Sequence, residues 1–324
     1  MQKILGIGNA LVDIMTELDH DGYLPEFGLP KGSMTLVDAR KSRNVFNGTQ
    51  HLKKTIRSGG SAANTIHGIA RMGLETGFIG KIGRDELGKV FHDDLAASNV
   101  RTHLTLSNTE SGRAMALISP DAERTFATYL GAAVELSEKD LEESIFTGYD
   151  IVHIEGYLVQ NHALLLHALE IAKKHHLKIS VDMASYNVVE ANKDFLYSVI
   201  REFVDIVFAN EDEAKALTGK EPSSALDELS RHCEIAIVKT GRNGSLVKSG
   251  NQRYPIGIIP VNSIDTTGAG DLYASGFLYG IAHNLPFDKC GKIGAILAGN
   301  VIEVVGAKIA DSKWDQIKQS VEAI

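Results

Sequence analysis

The chain has 324 residues, of which 44% are hydrophobic, and its formal net charge at neutral pH is −8. This length predicts about two domains with a large buried core. The acidic balance and the lack of a basic run argue against a nucleic-acid partner. The two cysteines, Cys233 and Cys290, show neither metal nor redox spacing and fit a reducing compartment. Without a signal-peptide pattern or a long apolar run, we expect a cytoplasmic protein with no membrane contact.

Short apolar runs alternate with helical patterns along most of the chain. The runs are nearly continuous, which is typical of parallel strands that are covered by helices on both faces. The alternation therefore predicts an α/β fold with a mostly parallel sheet. The predicted strands are 4–7, 76–79, 151–154, 179–181, 206–208 and 235–238, and the predicted helices are 62–72, 87–97, 162–175, 193–203 and 211–217, with two more near the C-terminus.

Two glycines after the first predicted strand, Gly6 and Gly8, suggest a dinucleotide-binding turn. The position of the third glycine is occupied by Leu11 and no helical pattern follows, so we reject a dehydrogenase. The chain also lacks the P-loop pattern. Asp13 ends this stretch, and its carboxylate can accept hydrogen bonds from two neighbouring hydroxyl groups. A loop carboxylate at a strand end is the alternative.

Two segments, 13–37 and 101–129, depart from the alternation of strands and helices, because they show strand-like patterns and turns without long helices. Within the second, 114–118 and 125–129 predict a hairpin. We interpret both segments as a small β-sheet lid. The expected catalytic and nucleotide-binding core then consists of residues 1–12, 38–100 and 130–324.

A glycine-rich turn, Ser-Gly-Gly-Ser-Ala-Ala-Asn at residues 58–64, precedes a predicted helix that ends at Gly73. Gly59 and Gly60 allow the backbone to approach a ligand closely. Asn64 would lie on the same side and offers both a donor and an acceptor. A tight turn before a packed helix explains this stretch equally well.

A second turn of small residues, Asp-Thr-Thr-Gly-Ala-Gly-Asp, occupies residues 265–271 between a strand-like run at 256–261 and a helical pattern at 272–282. The first N–H groups of a helix lack internal acceptors and lie at the positive end of its dipole, so this turn predicts an anion site. Asp271 is well placed there to take a proton from a hydroxyl group that attacks a phosphoryl group. For the last four residues alone, an ordinary helix start is the alternative.

Together these stretches resemble the ribokinase-like (PfkB-type) kinases, and the resemblance covers nearly the whole chain in order. Residues 8–13 resemble the N-terminal substrate motif of that family, 59–64 its first signature and 265–271 its second. Residues 210–213 are similar to the N-x-x-E motif, and 240–244 to the nucleotide loop. The resemblance implies a three-layer α/β/α core with a small β-sheet lid.

Within that family the chain is most similar to the adenosine kinase branch, through residues 8–14, 156–157 and 204–211. Two departures put adenosine in doubt as the acceptor. Leu158 stands where that branch has a second aromatic residue, and two alanines at 62–63 replace a more polar pair. A phosphorylated sugar is disfavoured because the predicted lid has few basic residues near the motifs.

The resemblance assigns a role to each candidate site residue. Catalysis is expected from Asp271 as the base and from the N–H groups of Gly268, Ala269 and Gly270. Acceptor binding is expected from Asn9, Asp13, Gly59, Gly60, Asn64 and Tyr157, and nucleotide binding from Asn210, Thr240, Gly241, Gly244 and Asn300. Glu213 is expected to hold Mg²⁺ through water, and the resemblance allows a monovalent cation such as K⁺ at Asp265 and Thr267.

Several of these roles have alternatives. Glu213 could lie on a solvated helix face, and Asp265 could only cap its turn. Asn300 could be a polar residue of a late helix. Arg124 in the predicted hairpin could contact a phosphate group, but a solvated turn residue is the better interpretation.

We therefore expect an ATP-dependent kinase that transfers the γ-phosphate to a primary hydroxymethyl group of a ribose-type furanose, with adenosine or a related nucleoside as the first choice. A free-sugar kinase of the ribokinase or fructokinase type is the alternative. A non-catalytic nucleotide-binding sensor is the alternative of another class. ATP and the sugar or nucleoside are the expected partners, and both a monomer and a homodimer through the lid stay open.

Overall fold

The computed structural model describes residues 1–121 and 123–324. In these residues, strands and helices alternate as the apolar runs predict. The strands, in chain order, are β1 Ile4–Ile7, β2 Leu11–Glu17, β3 Met34–Leu36, β4 Lys54–Gly59, β5 Thr76–Gly83, β6 Val100–Ser107, β7 Gly112–Ile118, β8 Arg124–Tyr129, β9 Ile151–Glu155, β10 Lys178–Asp182, β11 Ile206–Asn210, β12 Ile235–Lys239, β13 Ser245–Ser249 and β14 Gln252–Ile256.

The helices include all those that the sequence predicts. In chain order they are α1 Tyr23–Glu26, α2 Ala39–Gly48, α3 Ser61–Arg71, α4 Glu86–Ala97, α5 Glu143–Phe146, α6 His162–Lys174, α7 Tyr186–Ala191, α8 Lys193–Phe203, α9 Glu211–Thr218, α10 Pro222–Leu229, α11 Ala269–Ala282, α12 Phe287–Val301 and α13 Trp314–Glu322.

The larger sheet has the strand order β14-β13-β12-β11-β10-β9-β1-β5-β6. The seven strands from β12 to β6 run parallel, and β13 and β14 continue the sheet as an antiparallel edge. The chain first builds the sheet outward from β1 through β5 to β6, and then returns to the other side of β1 with β9. This reversal of direction opens a crevice between the carboxyl ends of β1 and β9.

Helices cover both faces of this sheet, because successive residues of each buried strand point to opposite sides. In β11, Ile206 and Phe208 pack in one cluster with Phe277 of α11, whereas Val207 packs in a second cluster with Leu165 of α6. The side chains of β11 and α11 in these clusters are fully buried: Ile206, Val207, Phe208 and Phe277. Complete burial of one such side chain contributes about 1.5–3 kcal/mol to folding. The α/β/α layering that the resemblance implies is confirmed.

The smaller sheet has the order β3-β8-β7-β2-β4. In β2, buried and partly exposed residues alternate, so one face of this strand is fully covered and the other is not. The predicted hairpin is present, with β7 and β8 antiparallel. This second sheet matches the small sheet that the resemblance implies.

The structure corrects the expected boundaries of the small sheet at two strands. β6 lies in the segment assigned to the lid, yet it pairs in parallel with β5 in the larger sheet. β4 lies in the segment assigned to the core, yet it pairs with β2 in the smaller sheet. The strand-like run at 256–261 is also wrong, because β14 ends at Ile256 and the following residues are irregular.

Among the residues that the structure describes, no helix combines the length and the apolar character needed to span a lipid bilayer.

Candidate functional site

Ligands of open α/β sheets usually bind in the crevice where the strand order reverses, at the carboxyl ends of the strands. Here that crevice lies between β1 and β9. Asn9 follows β1, Glu155 ends β9, and the amide Nδ2 of Asn9 donates a hydrogen bond of 2.6 Å to Oε1 of Glu155. Both side chains are buried. The predicted site residue Asn9 is therefore held by a carboxylate that the sequence analysis missed.

Helix α11 begins at the predicted anion turn. Gly268 has a φ of 75°, and a Cβ atom there would lie 2.6 Å from the Cβ of Ala307, so both conformation and space require glycine. The N–H of Ala269 donates to the Thr266 carbonyl at 3.2 Å. Of the expected N–H donors, those of Gly268 and Gly270 have no acceptor among the described residues and stay available for an anion.

Asp271 lies in the first turn of α11 and receives two hydrogen bonds from α3. The Ser61 hydroxyl donates to Oδ1 at 2.8 Å, and the Asn64 amide donates to Oδ2 at 2.9 Å. Burial raises the pKa of Asp271 to about 6, although these two hydrogen bonds oppose the shift. The glycine-rich turn at residues 58–64 and the anion turn at residues 265–271 therefore meet at the carboxylate of Asp271.

Asn64 consequently holds Asp271 in place, which the sequence analysis did not foresee. Its Oδ1 atom is buried and has no hydrogen-bond partner among the described residues. Such an atom is costly to leave unpaired, so it is available to a hydroxyl group of a ligand.

The glycines at the end of β4 make room for polar groups of β2 and β1. A Cβ atom at Gly59 would overlap the carboxylate of Asp13. Gly60 has a φ of 92°, and a Cβ atom there would overlap the carbonyl oxygen of Asn9. Both glycines are therefore required by their neighbours, whether or not they also contact a ligand.

Asp13 lies near Asp271 and Asp265, and neither of its carboxylate oxygens has a hydrogen-bond partner in residues 1–121 and 123–324. Burial raises its pKa to about 7, and the nearby Lys308 opposes the shift. Lys308 itself donates to Ser58 and Asp94 at 2.5 Å. Asp13 is thus a carboxylate with spare acceptor capacity beside a fixed cation.

A small cavity of about 40 Å³ separates the smaller sheet from the anion turn. Its walls combine apolar side chains with the polar atoms described above, and Phe126 of β8 supplies an aromatic face that the sequence analysis missed. The complete lining is Asp13, Met15, Ala114, Ala116, Arg124, Phe126, Asp265, Thr267, Val305 and Gly306. The predicted acceptor residue Asp13 and the predicted phosphate turn therefore face one space.

Asp265 does more than cap its turn. Its Oδ1 atom accepts from the N–H of Thr267 at 2.7 Å, and its Oδ2 atom accepts from the N–H of Gly306 at 2.7 Å. The guanidinium group of Arg124 also pairs with Oδ1 and lies 3.1 Å from the Thr267 hydroxyl. The interpretation of Arg124 as a solvated turn residue is wrong, because Arg124 joins the smaller sheet to the anion turn.

Asn210 precedes α9 as its N-cap residue and forms a reciprocal cap with Glu213. The Glu213 N–H donates to Asn210 Oδ1 at 2.8 Å, and the Asn210 N–H donates to Glu213 Oε2 at 2.7 Å. Glu213 is buried rather than solvated, and burial raises its pKa to about 7. The two residues of the N-x-x-E motif are thus fixed at the carboxyl end of β11.

These two residues fit a loosely held magnesium ion. Each Glu213 carboxylate oxygen accepts one hydrogen bond from Asn210, so each keeps capacity for a water ligand of a metal. No group of three or more His, Cys, Asp or Glu side chains suited to a metal is found among the described residues. Mg²⁺ usually binds through few carboxylates, with waters and substrate phosphates as its other ligands.

The loop after β12 has the expected turn. The Thr240 hydroxyl donates to the Gly244 carbonyl at 3.0 Å, and Gly241 and Gly244 have φ angles of 53° and 85°. Asn300 lies on α12, and its amide donates to the Ile296 carbonyl at 2.9 Å, as in a polar helix residue. A nucleotide-base role for Asn300 stays a prediction.

Tyr157 lies in a 3-10 turn, Gly156–Gln160, directly after Glu155. It is half-buried, and burial raises its pKa. Leu158, the departure from the adenosine kinase branch, is buried in the core on the α6 side of the sheet. Leu158 therefore does not line the crevice.

Two further charged residues at strand ends were missed. Lys239 ends β12 and pairs with Asp182, which ends β10, at 2.8 Å. Parallel strands bring their carboxyl ends to one edge of the sheet, so a charged residue at the end of an apolar run was the available signal. Glu155 gives the same signal at the end of β9.

A family model described as "pfkB family carbohydrate kinase" matches residues 37–314. The chain belongs to the pfkB family of carbohydrate kinases. This pfkB family kinase is a phosphotransferase that uses an alcohol group as acceptor. The family expected from the motifs is confirmed.

Among its relatives, the 5-dehydro-2-deoxygluconokinase of Geobacillus thermodenitrificans is 27% identical over 285 residues, which are 82% of this chain and 84% of the relative. A structure of adenosine kinase from Sinorhizobium meliloti is 34% identical with a TM-score of 0.88, and the match covers 98% of this chain and 99% of that one. A probable sugar kinase from Rhizobium etli is 33% identical with a TM-score of 0.88, covering 98% of both chains. The pfkB family kinase described here thus resembles both sugar kinases and a nucleoside kinase.

Proposed function

We propose that this enzyme transfers the γ-phosphate of ATP to the primary hydroxymethyl group of a ribose-type furanose, and that adenosine or a related nucleoside is the acceptor. The observation that carries the proposal is the position of Asp271 in the anion turn, in the same crevice as the unpaired carboxylate of Asp13. The proposed reaction needs a base for the hydroxyl group, a site for the phosphate anion, and a group that accepts hydrogen bonds from the substrate diol.

In the proposed reaction Asp271 takes the proton of the acceptor hydroxyl group. The hydroxyl oxygen forms a bond to the γ-phosphorus while the bond from that phosphorus to the β–γ bridging oxygen breaks, which gives the phosphorylated acceptor and ADP. The Gly268 and Gly270 N–H groups bind the phosphoryl oxygens, with the Ala269 backbone completing the turn. One preorganised donor of this type is worth about 3–4 kcal/mol of activation free energy in other enzymes.

Asn210 and Glu213 would hold the hydration shell of Mg²⁺, which neutralises charge on the phosphates when it is bound. Thr240, Gly241 and Gly244 would surround the nucleotide, and Asn300 would line its base pocket. The capped turn of Asn210 keeps these oxygens fixed, so no reorganisation is needed when the nucleotide arrives.

On the acceptor side, Asp13 would bind the two ring hydroxyls, because a carboxylate without protein partners can accept from both. Asn9, the free Oδ1 of Asn64 and the Gly59–Gly60 backbone would fix the ring, and Tyr157 would cover it. With the ring held in this way, the hydroxymethyl group would lie near Asp271.

Two observations favour a nucleoside over a free sugar. Apolar side chains, including Phe126 and Val305, line the cavity beside Asp13, and an apolar aromatic wall suits a stacked base. The adenosine kinase of Sinorhizobium meliloti is 34% identical over nearly the full length. The second candidate, a free-sugar or sugar-acid kinase, is favoured by the 27% identical 5-dehydro-2-deoxygluconokinase.

The smaller sheet would act as a lid. The cavity of about 40 Å³ is far smaller than the roughly 300–1,000 Å³ of a typical ligand pocket, so the sheet would move away from the anion turn to admit the acceptor. Closure would then exclude water from the transferred phosphate.

An ATP-consumption screen tests the proposed function. Adenosine, other nucleosides, ribose, fructose and 5-dehydro-2-deoxygluconate would each be offered with Mg²⁺ and ATP, and the phosphorylated product would be identified. We expect the highest kcat/KM with adenosine. Brisk phosphorylation of a free sugar without nucleoside turnover would instead select the second candidate, and no turnover of any acceptor would favour a nucleotide sensor.

A further inference from the structure

Lys239 occupies an unusual place for a buried cation. Its side chain is 15% exposed and its Nζ atom lies 3.0 Å from the position that a Cβ atom of Gly270 would take. The ammonium group is therefore at the N-terminus of α11, where the helix dipole is positive and repels a cation. A positive group at this position needs negative partners.

The protein supplies only part of that negative charge by direct contact. Oδ2 of Asp182 accepts one hydrogen bond from Lys239 at 2.8 Å, while Oδ1 of Asp182 accepts from the N–H of Ala184. Burial lowers the pKa of Lys239, but the negative charges of Asp182, Glu213 and Asp271 raise it by more, so the ammonium group stays charged. Two of the three ammonium N–H groups have no acceptor among the described residues.

We propose that the ammonium group of Lys239 binds the transferred phosphoryl group together with the N–H groups of Gly268 and Gly270, as a further catalytic residue. This inference rests on the proposed function, because it concerns the same phosphate. The phosphoryl oxygens accept hydrogen bonds from the two free N–H groups of Lys239. The hydrogen bond to Asp182 keeps the Lys239 side chain directed toward Gly270. Lys239 thereby neutralises charge that develops during transfer.

Removing Lys239 alone would leave Asp182 buried and unpaired, which destabilises the fold for reasons unrelated to catalysis. The test therefore compares the double variant Asp182→Asn/Lys239→Met with Asp182→Asn. The matched control is Lys248→Met. Lys248 lies on β13, away from the crevice; its side chain is 16% exposed and pairs with Asp227 at 2.5 Å.

We expect kcat of the double variant to be at least about 10²-fold below that of Asp182→Asn, the loss typical of one oxyanion donor, with unchanged acceptor affinity by calorimetry. Lys248→Met should retain the wild-type kcat. A folded double variant whose kcat lies within threefold of Asp182→Asn would overturn the proposal.

Inorganic phosphate separates this inference from the proposed function. Phosphate should raise the Tm of the wild-type protein and of Lys248→Met, but not that of the double variant, because a ligand that binds only the folded state stabilises it. Equal Tm shifts in all three proteins would overturn the anion role of Lys239. If no acceptor is turned over, the proposed function fails, whereas a phosphate shift that depends on Lys239 still supports the anion site.

Discussion

The side-chain amide of Asn64 donates a hydrogen bond of 2.9 Å to Oδ2 of Asp271, although 207 residues separate them in the chain. With the Ser61 hydroxyl on Oδ1, this bond fixes both oxygens of the proposed base. A base that is already oriented loses little entropy when the acceptor arrives. The pairing therefore links the two glycine-rich turns of the sequence to one chemical step.

Replacing Asp271 by asparagine tests its role as the base. Asp271→Asn keeps the shape of the side chain but cannot accept the proton, so kcat should fall by at least about 10²-fold while ATP and acceptor still bind. The control is Asp288→Asn, which changes a partly exposed carboxylate on α12. A near-normal kcat for Asp271→Asn in steady-state assays would remove Asp271 from the mechanism.

The pH profile should show the raised pKa of Asp271. A base works only when it is ionised, so kcat/KM should fall as the pH drops through about 6. The Ser61 hydroxyl stabilises the charged form, and Ser61→Ala should therefore raise the pKa and move this acidic limb to higher pH. Superimposable profiles of the two proteins between pH 5 and 8 would contradict this account.

The substrate diol should be recognised by Asp13. Removal of one hydroxyl leaves a buried carboxylate without its partner, which costs more than the bond itself. Hence 2′-deoxyadenosine should be a much poorer substrate than adenosine, and Asp13→Ala should largely abolish that preference. Equal kcat/KM values for the two nucleosides with the wild-type enzyme would rule out the diol role.

Phe126 should contribute more to a nucleoside than to a free sugar. Truncation by Phe126→Ala removes an aromatic face of the cavity, and base stacking on such a face is worth about 1–3 kcal/mol. The KM for adenosine should therefore rise about 5- to 150-fold, while any activity with ribose should change little. A similar increase for both acceptors would indicate a general packing role.

Arg124 should make a monovalent cation unnecessary. Its guanidinium group pairs with Asp265, and both oxygens of that carboxylate are already hydrogen-bonded. The wild-type rate should therefore be equal in KCl and in choline chloride at the same ionic strength. A several-fold activation by K⁺ would show instead that the cation displaces the guanidinium group.

The sequence predicts the core strands well because each is a nearly continuous apolar run, as in β9 and β11. It fails for strands with mixed patterns. In β4, exposed and partly buried residues alternate before a glycine turn, and in the edge strand β6 residues 101–106 are all at least partly exposed. Alternation alone does not tell which sheet an amphipathic strand joins.

The candidate site was predicted where small residues or asparagines form a recognisable motif. It was not predicted where a side chain acts through a distant partner, as Glu155 does toward Asn9 and Lys239 toward Asp182. Such pairs depend on strand order, which the apolar runs do not specify. A charged residue at the end of a buried strand is the sequence signal that marks such pairs.

The long separation of Asn64 and Asp271 also has a consequence for folding kinetics. Contacts between residues far apart in the chain form only after costly loop closure, and chains rich in such contacts fold slowly. The pair Asn64–Asp271 cannot form until α3 and α11 have packed against each other. Recovery of phosphotransferase activity after dilution from denaturant should therefore lag behind recovery of helical circular dichroism, and would report the last step of folding.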